Sequence, residues 1–261
     1  MKNIFKHMVS HPIQTLRFVV FHPLQTLRFI NGKYLHVGLR ARDPELQNMK
    51  SWFYGSLLKE NLESIFPGIE EISYKIVNGF KRQNNATVNI NELNTLLAVQ
   101  LFIKAENVLE IGTYDGGTAL NMAANLTGNG KVYTVDLPSG FKDFELTISR
   151  FSNNAQEFKN IGIQYKGTEF ENRIIQIYED SAKIDYDKLG ALFDMVFIDG
   201  CHDYIYVKSD YEKVLKYVRK GGIIIWHDYG MIRDVTKFAD DLSRNRVIHV
   251  VSGTRLALTI I

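Results

Sequence analysis

The stretch from Asn107 to Thr118, Asn-Val-Leu-Glu-Ile-Gly-Thr-Tyr-Asp-Gly-Gly-Thr, constrains this chain more than any other. Val108, Leu109 and Ile111 read as a buried parallel strand. Gly112 ends it, Gly116 and Gly117 permit a tight turn, and a helix follows from Thr118 through Ala119, Leu120, Met122 and Ala123. Free backbone N–H groups at such a strand–turn–helix corner can hold part of a nucleotide-like ligand. An ordinary strand-to-helix turn has the same local pattern, so the corner alone does not decide.

Two further residues weigh on it. The next expected strand, Lys131 to Val135, ends in Asp136, an acid where a ribose needs its hydroxyls accepted. Glu110 lies inside the first strand, where an unpaired charge is costly and a satisfied functional carboxylate is the usual explanation. Leu109 to Thr118 followed by Val135-Asp136 resembles the first two motifs of class I S-adenosylmethionine (SAM)-dependent methyltransferases. Nicotinamide enzymes place glycines first, third and sixth; here the run from Gly112 has Tyr114 third, which argues against them.

The chain has 261 residues, enough for one elaborated domain or a domain with an extension. Its single cysteine, Cys201, excludes an intrachain disulfide and a Cys-rich zinc site. With no membrane-length apolar run and no clear signal peptide, a cytoplasmic location is expected. Net charge is +2 but uneven: residues 1–42 carry seven basic residues and no acid, the rest 24 basic against 29 acidic. A mildly acidic body speaks against a nucleic-acid partner, whose site would be ringed by basic residues.

The leader holds a near repeat, His11-Pro12-Ile13-Gln14-Thr15-Leu16-Arg17-Phe18 and His22-Pro23-Leu24-Gln25-Thr26-Leu27-Arg28-Phe29. The prolines suggest two short helices. They read as a helical hairpin packed on the body or a second subunit, or as a basic amphipathic anchor giving residues 1–42 peripheral membrane contact. Residues 44–80 read as interrupted helix, with Trp52, Phe53 and Tyr54 suited to core or to the interface of a homo-oligomer. The division is a helical N-terminal extension over 1–80 and a catalytic-type domain over 81–261. The polar 81–91 loop precedes a helix from about Glu92 to Lys104. In methyltransferases this position often covers the cofactor, which makes the loop a candidate lid.

Strands at 107–112, 131–136, 173–178, 194–199, 222–227, 247–251 and 255–261 alternate with helices near 117–126, 143–159, 182–190, 205–219 and 232–244. The fold class is α/β, a seven-stranded, mostly parallel sheet with an antiparallel C-terminal strand. The resemblance implies the Rossmann-like methyltransferase fold and strand order 3-2-1-4-5-7-6. Ligands in such sheets sit beyond the strand carboxyl ends. By resemblance, Glu110 and Gly112 hold the methionine end of SAM, with Tyr114 lining it and Gly116 in the turn. Thr118 bonds the carboxylate, Asp136 accepts the ribose hydroxyls, Leu137 packs on adenine, and Asp180 and Ser181 reach its amino group.

A second signature runs from Phe193 to Tyr204 (Phe-Asp-Met-Val-Phe-Ile-Asp-Gly-Cys-His-Asp-Tyr), with Lys220-Gly221-Gly222-Ile223-Ile224-Ile225-Trp226-His227-Asp228-Tyr229 after it. It resembles small-molecule O-methyltransferases of the cephalosporin-hydroxylase-like and rhamnosyl group, and more distantly catechol O-methyltransferase. Alignment with the latter puts Asp199, His227 and Asp228 at its Mg²⁺ positions and His202 at its catalytic lysine; Asp199 also borders the cofactor. Methyl transfer needs alignment and a deprotonated oxygen. A divalent metal lowers a hydroxyl's pKa, or His202 or His227 takes the proton. His227 replaces an acid, and imidazole suits Mg²⁺ less well. The expected activity is O-methylation of a small-molecule or sugar hydroxyl. An N-methyltransferase and a SAM-binding module without chemistry are the alternatives.

Overall fold

A computed structural model describes residues 55–78, 87–148 and 160–261. The leader repeat, residues 81–86 of the lid loop and residues 149–159 of one expected helix lie outside the described residues.

The strands are β1 (Lys59–Glu60), β2 (Asn107–Ile111), β3 (Lys131–Asp136), β4 (Ile174–Tyr178), β5 (Phe193–Ile198), β6 (Val218–Trp226), β7 (His249–Val251) and β8 (Ala257–Ile260). They form one sheet in the order β1-β7-β8-β6-β5-β2-β3-β4. Numbered from β2, the seven later strands run 3-2-1-4-5-7-6, the order the resemblance implied. All pairings are parallel except those of β8, which runs against both β6 and β7. The helices are α1 (Leu62–Ile65), α2 (Ile90–Phe102), α3 (Gly117–Ala124), α4 (Tyr204–Val214) and α5 (Arg233–Leu242).

β5 is buried at every position, as a central strand with both faces covered must be. One apolar layer joins Leu96 and Leu97 of α2 and Leu120 of α3 to Val108 and Ile225. The other joins Val207 and Tyr211 of α4 and Phe238 of α5 to Leu109, Val196 and Trp226. Burying each large side chain contributes roughly 1.5–3 kcal/mol, so the two layers fix strand register and hold the carboxyl ends of β2 to β6 along one edge.

The structure departs from the sequence reading in three places. Residues 55–78 carry only the one-turn α1 and a 3-10 turn at Ile69–Glu71, with irregular backbone around them in place of longer helix, and β1 adds an eighth strand. Ser252 donates its N–H to Glu60 O at 2.8 Å, and Lys59 Nζ donates to Thr254 O at 2.7 Å. These contacts lie far apart in the chain, so local periodicity could not report them. The expected helix at 182–190 is a 3-10 turn over Tyr186–Leu189 closed by Gly190 in the left-handed region. Residues 142–148 form no helix; Asp180 ties them down instead, its Oδ2 accepting the Glu145 N–H at 2.8 Å.

Candidate functional site

A cavity of about 420 Å³ opens along the carboxyl edge of β2, β3, β5 and β6. Gly112, Tyr114, Asp136, Leu137, Asp180, Ser181, Asp199, His202, His227 and Asp228 line it, so ten of the expected site residues meet in one place.

At the β2–β3 end, Tyr114 N donates to Asp136 Oδ2 at 2.7 Å and Leu137 N donates to Oδ1 at 2.8 Å. Each oxygen keeps acceptor capacity for a further hydroxyl. Burial raises the Asp136 carboxyl above its ordinary range despite these donors. Tyr114 takes a left-handed φ of 48° to make its contact, a strained setting for a non-glycine residue. At Gly112 (φ 104°) an added Cβ would sit 2.2 Å from Asp199 O, so glycine is required for β2 and β5 to close on each other.

Glu110, Gly116 and Thr118 stand back from the cavity wall. Side chains alternate along β2, so Ile111 facing the cavity places Glu110 on the opposite face. There Glu110 Oε2 accepts Thr134 Oγ1–H at 2.5 Å, beneath a ladder reaching Thr113 and Gln176. Gly116 caps α3 at φ 80° and packs under Tyr165. Asp180 does line the cavity, but its carboxylate already accepts from Tyr206 Oη, Glu145 N and Ala182 N. Phe144 and Ile148, which were not foreseen, add apolar wall there.

Beside that end, Asp210 of α4 is fully buried. Burial pushes its carboxyl up to about 7; Asp180 adds to the rise, Ser181 and Lys213 oppose it. Its unfolded pKa is near 3.8, so stability falls as pH rises from about 4 to about 7 and stays reduced above that. Asp210→Asn is therefore expected to raise the melting temperature at pH 8, by a few kcal/mol of stability, and to leave it unchanged at pH 4. Thermal melts at both values check this.

The β5–β6 end carries the charge. Asp199, His202 and Asp228 present ligand atoms within 4.8 Å of one another. His202 Nε2 lies 3.1 Å from Asp228 Oδ2 and 3.7 Å from Asp199 Oδ1. His227 Nδ1 lies 3.0 Å from Asp199 Oδ1 and 3.4 Å from Asp228 Oδ1. Both nitrogens are sealed from solvent and face carboxylate oxygens. Asp228 holds a left-handed φ of 63°, and its carbonyl accepts the N–H groups of Met231 and Ile232, which fixes the turn.

Two residues behind this edge were missed in the sequence. Glu92, fully buried on the first turn of α2, accepts Arg255 Nε at 2.8 Å and Arg255 Nη2 at 3.0 Å. It also faces His227 Nε2 at 3.0 Å. Arg255 Nη1 donates to Asp228 Oδ1 at 2.7 Å. Burial alone would raise Glu92, but His227 and then Arg255 hold it well below the carboxylate range. Burial alone would lower His202, but Asp199 and Asp228 raise it to about 9. Asn89-x-x-Glu92 reads as a capping box, and the helix does use it so, with Asn89 N donating to Glu92 Oε2 at 3.0 Å. That local role hides the distal one. Arg255, a lone charge beside Leu256-Ala257-Leu258, is a signal of the kind Glu110 gave.

The sheet order is that of the Rossmann-like methyltransferase fold, with the cavity along its carboxyl edge. A methyltransferase-domain family model matches residues 109–229. A probable caffeoyl-CoA O-methyltransferase of Dictyostelium discoideum is 30% identical over 141 residues, 52% of this chain and 48% of that protein. An uncharacterised protein of Acanthamoeba polyphaga mimivirus is 28% identical over 126 residues, 46% of this chain and 50% of that one. The chain thus spans about half the length of the curated relatives it matches. The S-adenosylhomocysteine-bound methyltransferase of Podospora anserina superposes with a TM-score of 0.51 at 16% identity, over 79% of this chain and 98% of that one, and shares the fold. Among the described residues no helix is long and apolar enough to cross a membrane.

Proposed function

We propose that the chain is a SAM-dependent O-methyltransferase acting on a hydroxyl of a small molecule, with a divalent cation held at Asp199, His202 and Asp228. The observation that carries this reading is the single cavity joining Asp136 at one end to the acid–imidazole cluster at the other. SAM would supply a methyl group on a sulfonium, already activated for in-line displacement. Gly112, Tyr114 and Asp136 would bind and align it, and the apolar wall of Leu137, Phe144 and Ile148 would take the adenine. The match to a probable caffeoyl-CoA O-methyltransferase favours an oxygen acceptor over nitrogen.

The donor set fits a cation: two carboxylates and an imidazole converge, and buried ring nitrogens face carboxylate oxygens. A divalent ion there would lower the acceptor hydroxyl's pKa. The alternative role for His202 is general base without metal, and turnover on a hydroxyl that EDTA leaves unchanged would favour it. A screen of phenols, sugars and other hydroxyl acceptors for S-adenosylhomocysteine release, with and without EDTA, tests the reading. Turnover on a hydroxyl that EDTA abolishes and added metal restores is expected; turnover on amines alone contradicts it.

Asp136→Ala is expected to weaken SAM binding by about 1.5–3 kcal/mol, the range for a lost hydrogen bond to a charged group, with the fold retained. Calorimetric titration of SAM into both proteins measures it, and equal affinities would remove Asp136 from the cofactor site.

A further inference from the structure

The cluster has an unusual member. His227 is fully enclosed between carboxylates on both ring nitrogens, Glu92 at Nε2 and Asp199 with Asp228 at Nδ1. A histidine that ligates a metal through one nitrogen commonly donates its other N–H to a carboxylate, which fixes tautomer and ring orientation. Glu92 is built for that part. It is 0% exposed, immobilised by the bidentate Arg255 contact and by the α2 cap, and lies 3.0 Å from Nε2.

Spacing supports the other half. Two donors at right angles about an ion, each about 2.1 Å away, lie about 3.0 Å apart. His227 Nδ1 stands 3.0 and 3.4 Å from oxygens of Asp199 and Asp228, and His202 Nε2 stands 3.1 Å from Asp228. These are separations of neighbouring ligands, at two nitrogens sealed from solvent. Charge agrees. Glu92, Asp199 and Asp228 against Arg255 leave two negative charges, the complement of one divalent ion with both imidazoles neutral.

We propose that Glu92 is a positioning residue that accepts the Nε2–H of His227 and so turns its Nδ1 lone pair onto the cation, so that the site carries two nitrogens and two carboxylates and favours a borderline transition ion such as Co²⁺ over Mg²⁺. This rests on the reading of the cluster as a cation site. Nitrogen donors suit such ions, whereas Mg²⁺ prefers an all-oxygen shell.

The test uses the full chain, Co²⁺ alone and Mg²⁺ alone, by calorimetry and by visible ligand-field absorption of bound Co²⁺. Wild type is expected to bind Co²⁺ at least 100-fold tighter than Mg²⁺. Glu92→Gln keeps the side-chain length; Arg255 N–H and Nε–H hold the amide oxygen at the Oε1 place, so the N–H₂ takes the Oε2 place facing Nε2, and the cap contact from Asn89 N is given up with it. This reverses the tautomer. Co²⁺ affinity should fall 10–100-fold with a changed spectrum, while SAM affinity stays. His227→Asp, which restores an oxygen donor, should shrink the Co²⁺/Mg²⁺ ratio at least tenfold, and it decides the matter if Glu92→Gln does not fold. Wild-type Co²⁺ affinity and spectrum persisting in Glu92→Gln, or an unchanged ratio in His227→Asp, would overturn the inference and leave the cation site standing. No binding of either ion to wild type would overturn the cation site itself, and the inference with it.

Discussion

Asp199→Asn and Asp228→Asn should each lower turnover by about 10²–10⁴-fold while the protein stays folded. The carboxylates end neighbouring strands, β5 and β6, and flank both imidazoles. Asparagine keeps the shape but removes the charge that would hold a cation and with it the means of activating an acceptor hydroxyl. Backbone strain does not confound the comparison. Asp228 sits at φ 63°, and asparagine tolerates that region as readily as aspartate. SAM affinity should change little in Asp228→Asn, since this residue lies at the far end of the cavity from Asp136. Initial rates at saturating SAM, with calorimetry for SAM itself, separate the two effects. Wild-type turnover in either variant would remove the pair from the chemistry.

Arg255→Met is expected to cost about 3–5 kcal/mol of folding stability. Its guanidinium is the permanent cation between two buried carboxylates, pairing Glu92 through two nitrogens and Asp228 through the third. Removing one partner of a buried pair strands the others without water, and that penalty exceeds the strength of any single hydrogen bond. A melting temperature lower by on the order of 10 °C follows for a chain of this size. A double variant, Arg255→Met with Glu92→Leu, should recover part of the loss, because it removes a stranded charge together with its partner. Arg255→Met melting like wild type would mean that the cluster is less tightly sealed than its burial indicates.

Legibility in the sequence followed the range of the interactions. β2, the Gly112–Gly117 turn and α3 are set by near neighbours, and β5 is an apolar run interrupted by Asp194 alone, so strand, turn and helix could be read directly. The strand ends carrying Asp136, Asp199 and Asp228 came with them, because a parallel sheet brings its carboxyl ends to one edge. β1 could not be read: its two residues are strand only because β7 and Thr254 lie alongside. Glu92 and Arg255 were hidden for the same reason, lying 163 positions apart in the chain. Glu110 was visible as a charge in a strand, but the face it occupies depends on register. Only the structure shows Ile111 taking the cavity side and Glu110 bonding Thr134.

The central claim is that SAM occupies the β2–β3 end of this cavity with its reactive group toward Asp199. A crystal structure with S-adenosylhomocysteine tests it most directly. The account predicts both ribose hydroxyls within hydrogen-bonding distance of the Asp136 carboxylate, adenine against Leu137, and the sulfur on the side of the cavity that leads to Asp199 and His202. A ribose held elsewhere, or a cavity that stays without the ligand at millimolar concentration, would contradict it.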